Sequence, residues 1–301
     1  KLKDLPCNTL HGNIHDWTLL DSAGFSKAKM VVSALQIEEA NQLLAFRSHA
    51  ADIPCWQTEN NISKIRNKIF NKSSENMSEL VDNCISLTVT SPPYNVGKLS
   101  DLDLDDKKYW KMMKSCFEEV YRVTESGGRL VVNVANLGRK PYIPFSNQFT
   151  ELLLNLGFIM RGEIIWQKSK GANANFAWGS WLSASNPVIR DLHEYCLVFS
   201  KESMNRNKEG ESTIEKEEFM DSTLSIWNIL PANAKKIGHP APFPEELVER
   251  FINLYSYKNE IILDPFFGRG TTGLSAKNLE RDYIGYEVNS DYCDLAKKRI
   301  N

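Results

Sequence analysis

Two stretches hold residue types at spacings that suit chemistry. In Thr90-Ser91-Pro92-Pro93-Tyr94-Asn95 a hydroxyl precedes two prolines and an aromatic ring follows them. Consecutive prolines fix φ and remove two backbone donors, so the stretch is stiff and presents carbonyl oxygens. It can accept hydrogen bonds from an –NH2 group while a planar ring stacks on Tyr94. A Pro-Pro turn that only ends a strand would have the same composition. The second stretch is Glu260-Ile-Ile-Leu-Asp-Pro-Phe-Phe-Gly-Arg-Gly-Thr-Thr272. It reads as a buried strand ending in Asp264, a turn holding Gly268 and Gly270, and a helix beginning near Thr271. Glycines let the backbone approach a ligand closely, and a helix N-terminus offers free N–H groups to a polar or anionic group. Glu287 ends the next expected strand, 17 residues after Gly270, where an acid can hold ribose hydroxyls. The bland alternative is a tight strand-to-helix turn beside an ordinary surface acid. No phosphate-gripping GxxxxGK[ST] is present, and Arg269 is the loop's lone cation. A cofactor with ribose but few phosphates fits better than ATP.

Loops of this kind need a sheet to hold them. Apolar or β-branched runs at 85–90, 129–134, 158–166, 195–199, 260–263 and 283–287 read as strands, with a weaker one at 7–11. Between them, 108–123, 145–156 and 244–255 carry apolar residues at helical spacing, as at Leu247, Phe251 and Leu254. Strands alternating with helices predict an α/β fold, a doubly wound and mostly parallel sheet covered on both faces. Three stretches depart from the alternation. Residues 24–80 read as a helical insertion, with helices expected at 36–50 and 62–70. Residues 169–192 are irregular, and 201–221 are dense in both signs of charge, the pattern of a solvated, mobile loop. All three are expected as insertions on a single domain spanning 1–301, and insertions are where substrate reading tends to live.

The chain's 301 residues suffice for a sizeable core. A hydrophobic share of 42% and a charged share of 25% exclude a disordered, collagen-like or coiled-coil chain. The net charge of −2 gives no global positive field, so nucleic-acid contact would have to come from local patches. No apolar run reaches the roughly 18 residues of a membrane span. The first 13 residues lack the apolar stretch of a signal peptide. Six scattered cysteines without a CxxC pair predict a reduced, intracellular protein of the cytoplasm or nucleoid, with no membrane partner.

With these features in place, the sequence resembles the S-adenosylmethionine-dependent DNA amino-methyltransferases. Ser-Pro-Pro-Tyr and Asp-Pro-Phe-x-Gly-x-Gly-Thr-Thr look like that family's catalytic and cofactor motifs. The catalytic motif comes first here, so the chain is similar to the circularly permuted beta class. The run 127–134, the paired stretches 157–166 and 193–201, and His239-Pro240-Ala241-Pro242-Phe243-Pro244 extend the likeness from about residue 82 to the end. The resemblance implies a Rossmann-like sheet of seven strands and S-adenosylmethionine as cofactor. It implies Ser91, Pro92, Pro93 and Tyr94 as the catalytic loop. For the cofactor it implies Asp264, Pro265, Phe266, Gly268, Gly270, Thr271, Thr272 and Glu287, with His239 and Pro240 over its methionine end. Members carry Gly-Asp near the start; Gly12-Asn13 stands here, which implies Asn13 at the adenine edge.

The chemistry follows from the amine. Its lone pair is delocalised into the base, so methylation requires drawing the nitrogen toward tetrahedral geometry. The Ser91 hydroxyl and the Pro92 carbonyl can accept its two N–H bonds while Tyr94 stacks on the base. A base inside a duplex is out of reach, so it must be flipped out. In the family, Ser at the first position accompanies N4-cytosine methylation more often, and Asp or Asn accompanies N6-adenine methylation. Cytosine N4 is therefore expected, with adenine N6 as the alternative.

Double-stranded DNA is the expected partner, read by local positive charge. Candidate contacts are Lys64, Arg66 and Lys68 in an acid-free basic run, and Lys170, Asn173, Trp178 and Arg190 in the irregular stretch. Residues 202–238 are a further candidate recognition segment. Family habit implies a restriction–modification setting with a cognate endonuclease, and a monomer or homodimer. Cytosine-C5 chemistry is disfavoured, because Pro6-Cys7 and Pro54-Cys55 lie far upstream of the cofactor loop. No metal is expected: Asp101, Asp103, Asp105 and Asp106 lack the EF-hand spacing. RNA or protein-glutamine methylation, and an inactive DNA-binding subunit, are the competing readings.

Overall fold

The computed structural model describes residues 63–95, 105–138, 141–168, 179–231 and 244–301. The chain divides into two units, 1–65 and 66–301, and the second carries the sheet. Eight strands are described: β1 (Lys68–Phe70), β2 (Ile85–Thr90), β3 (Thr124–Val134), β4 (Phe158–Gln167), β5 (His193–Lys201), β6 (Ile226–Asn228), β7 (Ile261–Asp264) and β8 (Asp282–Tyr286). The described helices are α1 (Asp106–Val123), α2 (Phe145–Asn155), α3 (Lys216–Ser222), α4 (Glu245–Tyr255), α5 (Thr271–Asn278) and α6 (Ser290–Ile300). Strand order is β1-β8-β7-β2-β3-β5-β4-β6. Of the described strands, only β5 runs against its two neighbours, β3 and β4.

Burial explains why these segments take these forms. Every residue of β2 and β7 is buried, as a central parallel strand covered on both faces requires. α1 turns Tyr109, Met113, Cys116, Phe117 and Val120 inward at helical spacing, and Asp105 caps it by accepting from Lys108 N at 3.0 Å. α4 buries Leu247, Val248, Phe251 and Ile252 in one core with Leu87, Val89, Val131 and Ile262 of the sheet.

The α/β class and the six strong strands are as expected. Two short edge strands, β1 and β6, were not, and they bring the described sheet to eight strands. The weak run at 7–11 and the helix expected at 36–50 lie outside the described residues. The helix expected over 62–70 is a correction: its end is β1, parallel to β8, with Lys68, Ile69 and Phe70 level with Ile284, Gly285 and Tyr286. A basic run reads as a helix face locally, but the open edge of β8 supplies backbone partners that a helix would leave unmet. Met77 and Leu80 are 0% and 2% exposed, so the end of the expected 24–80 insertion belongs to the core.

The expected solvated loop at 201–221 is exposed over most of its length, with Arg206 as an exception. Arg206 lies buried between Glu125 and Glu260, with Nη2 2.5 Å from a carboxylate oxygen of each. Its guanidinium sits 5.2 Å over the Tyr257 ring. Opposite charges that look solvated in sequence are paired once Glu125 of β3 and Glu260 just before β7, on either side of β2, both reach Arg206.

Candidate active site

β2 ends at Thr90, β7 ends at Asp264, and the two strands are parallel neighbours. Their C-terminal ends therefore open together, on the side of an α/β sheet where ligands bind. One carboxylate ties the two following loops. Asp264 Oδ1 accepts from Thr90 Oγ1 at 2.7 Å and from Phe266 N at 3.1 Å, while Oδ2 accepts from Thr272 Oγ1 at 2.7 Å. Both oxygens are thus held by the protein itself, and Asp264 braces the proline loop against the glycine loop.

Burial pushes the Asp264 carboxyl up to about 6, although the Thr272 and Thr90 hydroxyls pull the other way. The folded-state value lies above the ordinary 3.8, so the folded chain holds this proton more tightly than the unfolded one. The group's contribution to stability is full below the unfolded value and is lost as pH rises through about 6. Going from about pH 7.5 to about pH 5, the wild type should gain roughly 1 kcal/mol from Asp264 that Asp264→Asn does not. Melting both proteins at the two pH values measures this, and an equal change in both would sink the assignment.

The glycine loop has the backbone its residue types predict. Gly268 and Gly270 have φ of 52° and 78°, the left-handed region that other residues enter at a cost. Phe267 seats the loop by packing on β8: a Cβ at Gly285 would lie 2.3 Å from its ring. Glu287, one residue past β8, accepts from Gly268 N and Asn289 N, each at 2.8 Å. Burial raises its carboxyl above the ordinary range. Pro265 is buried and Phe266 half-buried, while Thr271 Oγ1 meets Arg299 Nη1 at 2.9 Å. Arg269 stands 5.3 Å over the Tyr292 ring.

The proline loop is anchored at three points. Ser91 Oγ donates to the Asn133 carbonyl at 3.1 Å, Tyr109 donates to the Pro93 carbonyl at 2.9 Å, and the Tyr94 hydroxyl accepts from Ala135 N at 2.6 Å. The Tyr94 phenol is pushed far up, by burial first and by the nearby Glu194 charge second. The Tyr94 ring stands 6.0 Å from that of Phe145.

The fold thus brings Ser91, Pro92, Pro93 and Tyr94 beside Asp264, Gly268, Gly270, Thr272 and Glu287. Asn13, Lys170, Asn173, Trp178, His239 and Pro240 lie outside the described residues. Lys64 is exposed. Arg66 pairs with Asp282 and also donates to the Asn259 carbonyl. Asp282 opens β8 and Glu287 follows its end, so Arg66 sits about 16 Å along the strand from Glu287. Lys68 is exposed on the edge strand, and Arg190 is half-buried in a stretch without helix or strand.

Sequence reading missed Thr90, Tyr109, Asn133 and Asn71. Asn71 follows β1 and donates to the Glu287 and Val288 carbonyls at 2.8 and 3.1 Å, which places the loop after β1 against the glycine-loop acid. Asn133 carried a signal: it is a lone polar residue in the apolar run 130–134.

Comparison with known proteins agrees with this geometry. The profile of the DNA methylase family N6_N4_Mtase matches residues 85–298. The type II methyltransferase M.MthZI of Methanothermobacter thermautotrophicus is 30% identical over 275 residues, covering 79% of this chain and 77% of the relative. M.BglII of Bacillus subtilis, another type II methyltransferase, is 29% identical over 247 residues, covering 76% and 68%. Among solved structures, the putative DNA modification methylase TTHA0409 of Thermus thermophilus, complexed with S-adenosyl-L-methionine, is 28% identical, with a TM-score of 0.63 over 77% of this chain and 93% of that one. The matched span contains both loops and all of the sheet from β2 onward, and the chain belongs to the N6_N4_Mtase family of DNA methylases.

Proposed function

We propose that this DNA methylase transfers a methyl group from S-adenosylmethionine to the exocyclic N4 amine of cytosine in a flipped-out base. The observation that carries the reading is the Thr90–Asp264–Thr272 brace, which holds an amine-accepting loop against a nucleoside-type loop. The glycine loop fits the cofactor: two left-handed glycines, a half-buried acid on Gly268 N and Arg269 turned to Tyr292 suit ribose rather than a polyphosphate. Asp264, Pro265, Phe266, Gly268, Gly270, Thr271, Thr272 and Glu287 would hold it. When bound, it supplies an electrophilic sulfonium methyl.

The protein's own part is positioning. Ser91 gives its hydroxyl hydrogen to Asn133, so Oγ is left to act as an acceptor for the amine. Tyr109 occupies the Pro93 carbonyl, which leaves the Pro92 carbonyl as the second acceptor. Two accepted hydrogen bonds localise the nitrogen lone pair and aim it for in-line displacement. As the S–CH3 bond breaks and a neutral thioether leaves, the nitrogen would take the methyl and then lose one proton to water, with no covalent bond to the enzyme. Tyr94, pinned at its hydroxyl by Ala135, offers its ring face to the base. Ser91, a neutral hydroxyl at the first motif position, supports cytosine over adenine. The permuted motif order supports the beta class. Lys170, Asn173, Trp178 and Arg190 are the DNA contacts we propose, with a cognate endonuclease as partner.

The full chain, incubated with labelled S-adenosylmethionine and unmethylated mixed-sequence duplex DNA, should yield N4-methylcytosine on nucleoside digestion and mass spectrometry. N6-methyladenine would overturn the base assignment and keep the site. Unmodified nucleosides, with cofactor binding seen by calorimetry, would count against the DNA-amine reading.

A further inference from the structure

We propose that Glu194, held by Lys168 and Asn133, is the charged positioning residue of the base pocket: its carboxylate offsets the positive charge that develops on the substrate amine. This rests on the amine-methylation reading above.

The register places the group. Thr90 is level with Val132, so Ser91 comes level with Asn133, which is itself level with Cys196 on β5. Glu194 lies two residues before Cys196 on the same sheet face and level with Trp166 of β4. A polar row therefore crosses three strands beneath the proline loop. Asn133 Nδ2 donates to Glu194 Oε2 at 2.5 Å, Cys196 Sγ donates to Asn133 Oδ1 at 3.2 Å, and the Lys168 ammonium pairs with Glu194 Oε1. Asn133 is 2% exposed and the Glu194 side chain 13%. Such a buried carboxylate is costly unless both oxygens are met, and here both are.

Among the described residues, two carboxylates are tied to the proline loop by hydrogen bonds. Asp264 is spent on Thr90 and Thr272, with burial favouring its protonated form. Glu194 is the other, with Asn133 between it and Ser91: the Asn133 main-chain carbonyl accepts from Ser91, and its side-chain amide donates to Glu194. During transfer the amine passes from neutral to cationic, while its acceptors, a hydroxyl and a carbonyl, are neutral dipoles. A fixed anion in a site with little water stabilises that charge at no reorganisation cost. Lys168 offsets part of this charge, but it is a third exposed, with its ammonium 4.9 Å over the Trp166 ring, so solvent screens it more than it screens the 13%-exposed carboxylate.

Glu194→Gln keeps the shape and the oxygen that Asn133 binds but removes the charge. Turnover on unmethylated duplex DNA should fall about 100-fold, with KM for DNA, cofactor affinity and melting temperature close to wild type, and Glu194→Asp should restore part of the loss. Turnover of Glu194→Gln within about threefold of wild type would overturn the inference. So would parallel losses of melting temperature and cofactor affinity, which would mark Glu194 as a strut. A wild-type chain that methylates no exocyclic amine in the same assay would overturn the reading of the site itself, and this inference with it.

Discussion

Ser91→Ala is expected to lower methyl transfer by about two orders of magnitude while leaving cofactor affinity within about threefold. The hydroxyl is held in place by its own donation to the Asn133 carbonyl. Its removal leaves the amine a single acceptor and a more delocalised lone pair. Gly268 and Gly270 keep their own anchors in this variant, the Glu287 carboxylate and the left-handed backbone, so the cofactor loop is expected to stand unchanged. Tyr94→Ala should likewise cost turnover, because it removes the stacking face and the anchor on Ala135 N. Labelled methyl transfer to duplex DNA, paired with calorimetry of cofactor binding, measures both quantities. Turnover that stays near wild type in both variants would remove the proline loop from the chemistry.

Arg206→Ala is expected to destabilise the chain by about 3 kcal/mol or more, a fall of roughly 5 °C in melting temperature. Arg206 is 9% exposed at its side chain, and its loss strands Glu260, 4% exposed, and Glu125, 17% exposed. Burial works against the charge on Glu260, yet Arg206 and the Tyr257 amide hold its carboxyl below the ordinary range. Lys208, 3.4 and 3.5 Å from the same two carboxylates, softens the loss without replacing the planar guanidinium. Replacing Arg206 by Met and Glu260 by Leu together should recover much of the deficit, since the cost is that of an unpaired buried charge. Denaturant unfolding of the wild type, the single variant and the double variant tests this. A single-variant loss below about 1 kcal/mol would show that the charges remain solvated.

What could be read from residues alone was whatever depends on short range. The period of the apolar runs placed β2, β4, α1 and α4 within a residue or two, because burial on both faces of a strand or one face of a helix is written in the types themselves. The proline loop and the glycine loop were legible for a similar reason: Pro and Gly constrain their own backbone wherever they stand. The resemblance of those loops to a known family was then borne out at the level of DNA methylase, over residues 85–298.

The rest was settled by partners distant in sequence. The run 68–70 carries no strong strand signal and becomes β1 because β8, over 200 residues later, has an open edge at that height. Arg206 reads as a solvated charge until Glu125 and Glu260 arrive from 81 and 54 residues away. Thr90 and Thr272 are unremarkable in sequence, and only the adjacency of β2 and β7 turns both toward Asp264. The sequence by itself determined the local shapes that chemistry requires: a stiff acceptor loop and a loop open to a close ligand. Tertiary structure decided which charges are buried, which carboxylate faces which hydroxyl and which acid is tied to the proline loop, because a hydrogen bond or an ion pair depends on distance in space and not on separation along the chain.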